Sequence, residues 1–235
     1  MAKRGKIVDF ESVDEVARPE RMKKYLYLIL IICEDENTER VYFEKFKSHI
    51  PKETIFLRPI GTGFDPLGVV KKAIEEKKKL KAECGGKDVD EVWLVFDKDD
   101  ADIYPGKTDR FNSAIALAEA EKFQLAYSNE VFELWLLLHL TNLDPTIPLP
   151  RAQIYEKLQN LITAEPGHET FIYNHGDVEI LEKIALLGSE VDAIERAEML
   201  INHHGAKHLL ERNPVTFVNE LIKNLYSWIK YYSYQ

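Results

Sequence analysis

Cysteine is scarce in this chain. Cys33 and Cys84 are the only two in 235 residues, too few for a disulfide framework, so a reducing cytoplasm is the expected compartment. Long apolar runs are missing too: Leu26 to Cys33 is far too short to span a bilayer, and no membrane partner is expected. Basic charge is in deficit, with 31 Lys and Arg against 40 Asp and Glu and a net charge of −9. That balance excludes a general nucleic-acid-coating surface, which needs clustered cations. It does not exclude a nuclease, whose metal site itself raises the acidic count. The segment Met1 to Lys6 is basic but is followed by no signal-peptide core, and reads as a frayed, solvated tail. No Gly-x-Ser-x-Gly elbow supports acyl transfer. Gly61-Thr62-Gly63 has no Walker lysine after it and no third fingerprint glycine, so it reads as a tight strand-to-helix turn. No internal repeat is apparent.

What is present is acid at the ends of apolar strands. Val92-Trp93-Leu94-Val95-Phe96 stops abruptly at Asp97-Lys98-Asp99-Asp100. A short run rich in branched and aromatic residues reads as a buried strand, which places the acids at its C-terminal tip. Ligands of open α/β sheets gather at that edge. Neighbouring carboxylates repel unless a cation lies between them, and Asp97 and Asp99 are spaced to share one divalent ion. Alone, the cluster reads equally as a solvated acidic turn. A second strand repeats the pattern: Leu26 to Cys33 is an almost unbroken apolar run, ending in Glu34-Asp35-Glu36-Asn37-Thr38-Glu39. Two parallel, adjacent strands of this kind would bring their carboxylates to one site. Thr38 is the expected N-cap of a helix carrying Tyr42, Phe43 and Phe46 on one side.

The chain then alternates. Thr54 to Ile60 reads as a strand, Asp65 to Lys81 as a helix, Asp109 to Lys122 as a helix, and Phe123 to Tyr127 as a short fourth strand. The lysines of 71–81 are interleaved with Glu75, Glu76 and Glu83 and read as a salt-bridged solvated face. Strands alternating with helices imply a parallel α/β sheet. Glu130 to Leu140 reads as a core helix in which Phe132, Leu136 and Leu140 recur every fourth position. Glu133 is too deep in that apolar surround to be freely solvated and needs a partner or a metal, whereas His139 reads as a structural hydrogen-bonding histidine. Beyond Pro145 the strand signals fade. Helices are expected over 151–162, 178–187, 190–203 and 214–228, the last with Asn213 as cap and Pro214 at its first position. His203, His204 and His208 have a zinc-like spacing but no third ligand, and read as surface or capping residues; His168 and His175 lie in a loop and suggest little. The expected organisation is a tail over 1–24, an α/β domain over 25–142 and a helical region over 143–235 packing on it.

Three segments together resemble one family. They are Cys33 to Phe43, Val95 to Asp99, and Ser128-Asn129-Glu130-Val131-Phe132-Glu133-Leu134-Trp135-Leu136-Leu137-Leu138-His139. With Asn213 to Val218, which looks like a C-terminal signature, they resemble the RloB-like family from about Leu28 to Leu225. The resemblance implies a Toprim-like Rossmannoid parallel sheet flanked by helices, with a C-terminal helical extension. Toprim is the metal-dependent fold shared by topoisomerases, primases and OLD-type nucleases. Its strand-end Glu and Asp-x-Asp map onto Glu34, Asp97 and Asp99. One departure is Asp35, where the superfamily usually has glycine at a tight turn.

The activity implied is cleavage of a DNA or RNA backbone, tRNA and phage DNA included, with Mg²⁺ or Mn²⁺ held by Asp97 and Asp99. Glu34 is expected as acid, base or further ligand, and Glu39 or Glu133 as ligands of a second ion. The resemblance also implies a setting in bacterial anti-phage or restriction loci, with an ATPase partner or the protein's own oligomer supplying substrate affinity. The main alternative is a non-catalytic Toprim-like module that senses or binds a partner. A HAD-like phosphatase fits less well, because Asp100 and Ala101 follow Asp99 and an earlier acidic strand exists.

Overall fold

The computed structural model describes residues 24–234; the basic N-terminal segment lies outside them. Four strands form a parallel sheet in the order β2-β1-β3-β4. They are β1 (Tyr27–Cys33), β2 (Ile55–Gly61), β3 (Glu91–Val95) and β4 (Gln124–Leu125). The apolar composition of β1 follows from its central place: every residue after Tyr27 is buried, as a strand covered on both faces requires. Register then fixes the functional edge. Cys33 lies opposite Gly61 on one side and Val95 on the other, so three strands end level and their next residues emerge together.

Helices α1 (Thr38–Glu44), α2 (Pro66–Glu83) and α3 (Pro105–Ala120) connect the strands. Asp65 caps α2 by accepting the Gly68 N–H at 3.1 Å, with Pro66 at the first helical position. The lysines of α2 pair with the interleaved acids in part, Lys72 with Glu75 and Glu76 and Lys79 with Glu76, whereas Lys81 reaches Asp88 beyond the helix and Glu83 pairs with Arg58 of β2.

Helix α3 starts at Pro105, four residues before the expected Asp109, and three further departures from the sequence reading bear on the sheet edge. The fourth strand shortens to Gln124–Leu125 because the chain then leaves the sheet. Ser128 bridges Asp97, and Ser128–Asn129 (β5) pairs antiparallel with Val215–Thr216 (β6). The apolar helix is α4 (Glu133–Leu138), which begins three residues later than Glu130. Glu130 is used otherwise: its carbonyl accepts the Asp99 N–H, and its carboxylate accepts the Arg151 N–H and the Asn213 side chain. Leu134 to Leu138 are all fully buried, so α4 is enclosed rather than one-sided. Third, Asn213-Pro214 does not start a helix. Asn213 Oδ1 accepts the Leu149 N–H at 2.8 Å, β6 follows, and the last helix α8 (Val218–Ser233) starts only at Val218.

Helices α5 (Arg151–Thr163), α6 (Glu179–Leu187) and α7 (Glu190–His204) precede β6. Together with α8 they pack on the sheet domain, and one core cluster runs from Leu28 to Ile229. At the edge away from the acids, Glu91 accepts hydrogen bonds from Tyr27, Trp93, Asn224 and Trp228, which fastens α8 to the starts of β1 and β3. No described helix is long and apolar enough to cross a membrane.

Candidate functional site

The loop after β1 is held from below by the loop after β2. Gly63 N–H donates to the Glu34 carbonyl at 2.8 Å, and the Thr62 hydroxyl to the Cys33 carbonyl at 2.9 Å. Gly61 has to be glycine: a Cβ there would lie 2.4 Å from the Cα of Glu36 and 2.8 Å from the Asp35 carbonyl oxygen. The glycine pair is therefore a support for the Glu34 loop. Asp35 has no positive φ, unlike Glu53, Asp99 and Lys122, so its turn does not need glycine. Its carboxylate accepts the Thr38 N–H, and its own N–H donates to Glu39 Oε2 at 3.1 Å. Thr38 is thus the first residue of α1 and not its cap; Asn37 holds the cap position without a side-chain bond, and Asp35 supplies the acceptor.

The acids of the third strand meet this loop. Glu34 Oε2 accepts the Asp97 N–H at 2.9 Å. Lys98 N–H donates to Ser128 O, and Asp99 sits in the left-handed region at φ 52°, a conformation aspartate tolerates better than most residues. The Lys98 ammonium turns inward, 2% exposed, onto Asp102 at 2.8 Å. Asp99 and Asp100 share Arg151, the first residue of α5: Nη1 lies 3.0 Å from Asp99 and Nη2 2.7 Å from Asp100.

Burial dominates the electrostatics. It pushes the carboxyl of Asp97 well up, and the charges of Glu39, Glu34, Glu133 and Asp99 push the same way. Glu39, 1% exposed, is raised by burial, then by Glu34. Glu34 is raised by burial against the Asp97 N–H, which lowers it. Asp97 Oδ1 is fully covered and has no hydrogen-bond partner. A buried acceptor left unpaired costs about 1–3 kcal/mol, so this oxygen is open to a further donor or a cation.

Glu133 reaches the same cluster from the start of α4. Its Oε1 accepts the Tyr173 hydroxyl and, at 3.2 Å, the His175 Nδ1–H. Its neighbours are thus hydrogen-bond donors, which satisfy the deeply buried carboxylate. The side chain of His175 is 65% exposed, and Glu133 holds its imidazole above the usual histidine range. Tyr173 and Tyr155 are raised by burial and by Glu133. Arg151, Tyr155, Tyr173 and His175 are the site residues that sequence reasoning missed. They come from a region without strand-end signals, and only Arg151, at a helix start after Pro150, carried any positional cue. His139 lies elsewhere, donating Nδ1–H to the Trp135 carbonyl at 2.9 Å. His203 is exposed, His204 donates to the Pro214 carbonyl, and His208 caps Leu210.

A cavity of about 440 Å³ opens over this ground, lined by Glu34, Glu39, Asp97, Asp99, Arg151, Tyr155 and His175 among others. An all-oxygen acidic donor set suits a hard divalent cation such as Mg²⁺ or Mn²⁺, and the unpartnered Asp97 oxygen fits that need. The ligand shell is nevertheless not assembled: among the described residues no three acidic, histidine or cysteine side chains stand together as metal ligands. The reason is visible in the bonding, since Asp99 is drawn to Arg151, Glu34 to the Asp97 N–H and Glu39 to the Asp35 N–H.

These features define an α/β protein whose parallel sheet presents a buried carboxylate cluster at the C-terminal ends of adjacent strands. More particularly, residues 29–225 match the family model described as RloB-like protein, and the chain belongs to that family. No curated protein and no solved structure matches it.

Proposed function

We propose that this RloB-like protein is a Toprim-type, Mg²⁺- or Mn²⁺-dependent nuclease that cleaves phosphodiester bonds of DNA or RNA, as an effector in anti-phage or restriction-linked defence. One observation carries the reading. Strand-end acids from two separate segments, Glu34 and Asp97 with Asp99, line one cavity, and the inner oxygen of Asp97 has no partner in the polypeptide. Asp97 and Asp99 are the residues that would hold the cation, with Glu39 beside them. When bound, the cation supplies Lewis-acid polarisation of the phosphoryl oxygen.

The chain's own groups do the rest. Burial favours the neutral form of Glu34 as it does of Asp97 and Glu39. With Asp97 and Glu39 assigned to the cation, Glu34, anchored by the Asp97 N–H, is left in this reading as the proton carrier. In this reading it gives that proton to the leaving oxygen as water attacks the phosphorus and loses its own proton to solvent. Glu133 serves as an orienting residue for His175 and Tyr173 in this scheme, in place of the ligand role its sequence position suggested. With a net charge of −9, the protein draws substrate affinity from an ATPase partner or from its own oligomer.

The rival reading, a non-catalytic partner-binding module, is favoured by the Arg151 contact that occupies Asp99. One experiment separates them: purified protein incubated with tRNA, single-stranded DNA and duplex DNA, with Mg²⁺ or Mn²⁺, then with EDTA. Cleavage that EDTA stops and Asp97→Asn abolishes is the expected result. Cleavage that survives in Asp97→Asn, or no cleavage of any substrate with or without the partner ATPase, overturns the nuclease reading.

A further inference from the structure

Arg151 divides its guanidinium between two neighbouring carboxylates. Nη2 lies 2.7 Å from Asp100 Oδ1 and Nη1 lies 3.0 Å from Asp99 Oδ1. The two prongs are not equivalent. Asp100 is an outlying acid that also pairs with Lys107, whereas Asp99 belongs to the cluster with Asp97 and lines the cavity. The main chain of Arg151 is fixed independently of its side chain: its N–H donates to Glu130, whose carbonyl accepts the Asp99 N–H. One residue thus ties the start of α5 to the backbone beside the acid it pairs with. The side chain is one-third exposed, so a change of partner needs no unfolding.

Resting on the nuclease reading above, we infer that Arg151 competes with the divalent cation for Asp99, and that once displaced its Nη1 prong binds the substrate phosphate while Nη2 stays on Asp100. The charge balance supports the exchange. In the cation-free protein, Arg151 is the positive group that neutralises Asp99 in a crowded acidic site. A divalent ion arriving there brings two positive charges to Asp97 and Asp99 and repels the guanidinium. The freed prong then faces a cavity whose other ligand, in the proposed reaction, is a phosphodiester. A guanidinium fork suits phosphate oxygens as well as it suits carboxylate. Arg151 is then a substrate-binding residue that also guards the cation site.

The test reads two affinities that the proposal moves in opposite directions. Mn²⁺ binding is measured by electron paramagnetic resonance on wild type and Arg151→Gln, without substrate. Loss of the competing charge-assisted contact should tighten Mn²⁺ about tenfold. Binding of short fluorescein-labelled RNA and DNA oligonucleotides is then measured in Ca²⁺. Here Arg151→Gln should weaken binding about tenfold, and Arg151→Lys should restore part of it without matching the fork. A merely structural arginine would weaken both affinities together when lost. Unchanged or weaker Mn²⁺ binding in Arg151→Gln overturns the inference, as does unchanged oligonucleotide binding. Asp97→Asn reports on the underlying reading separately: if it keeps wild-type Mn²⁺ affinity, the cation lies elsewhere and the nuclease site itself is wrong.

Discussion

Asp97 and His139 are both buried titratable residues, yet they bear on different properties. Asp97 places an unpartnered carboxyl oxygen among Glu34, Glu39, Glu133 and Asp99. Asp97→Asn keeps the shape and spares the fold the cost of neutralising a carboxyl that is ionised in the unfolded chain, so at neutral pH the cation-free protein should gain roughly 1–2 kcal/mol. Urea unfolding in EDTA measures this, and a destabilised variant would mean that the carboxyl is satisfied in a way the structure does not show. His139 is 5% exposed, and burial pushes its imidazole down to about 4. The unfolded chain takes up a proton near the usual histidine value while the folded one resists it. Stability should therefore be full above about pH 6.5 and fall as pH drops towards 4, by up to about 3 kcal/mol from this residue. His139→Leu should flatten that part of the profile while losing the bond to the Trp135 carbonyl. Parallel pH–stability curves for wild type and variant would show that the imidazole ionises freely in the fold.

Among the elements, the loop after β2 and the small β5–β6 ribbon position the site without entering its chemistry. Gly61→Ala puts a methyl group against the backbone of Asp35 and Glu36. It should cost about 2–3 kcal/mol and weaken Mn²⁺ binding, because the Glu34 loop must lift to make room. Wild-type stability and Mn²⁺ affinity in this variant would show that the loop is not held from below. In the ribbon, the Ser128 and Thr216 hydroxyls hydrogen-bond at 2.9 Å in full burial. A double-mutant cycle with Ser128→Ala and Thr216→Val should return a coupling of about 1 kcal/mol, and additivity would deny the bond. The central strand and the helix after β2 were legible in the sequence, since β1 is apolar throughout and α2 has a cap, a proline and paired charges. The ribbon was not. Two-residue strands carry no periodicity, and a strand paired with residues more than 80 positions away has no local signal.

Across the whole molecule, the C-terminal region completes the sheet domain instead of merely following it. Phe217 stacks on Tyr127 at 5.1 Å, Asn213 reaches Leu149 and Glu130, and Tyr173 with His175 satisfies Glu133. Residues 25–142 alone should therefore fail to fold cooperatively, whereas the full chain should unfold in one transition with equal calorimetric and van't Hoff enthalpies. Two transitions, or a folded fragment with dispersed amide resonances, would show that the α/β part stands by itself.

The sequence by itself determined the parallel α/β architecture and which acids end the strands. Both follow from short-range rules: an apolar run must be covered, and the residue after a strand lies at its tip. It also made His139 a core histidine, because its surroundings are apolar at helical spacing. What surrounds the acids was decided only in three dimensions. Arg151 on Asp99, Tyr173 and His175 on Glu133, and Glu130 between Asp99 and Arg151 are contacts across 21 to 52 positions of chain. No periodicity encodes them, since packing of the later helices against the strand ends chooses each partner. That packing is also why Asp99 faces an arginine while Asp97 keeps an oxygen without a protein partner.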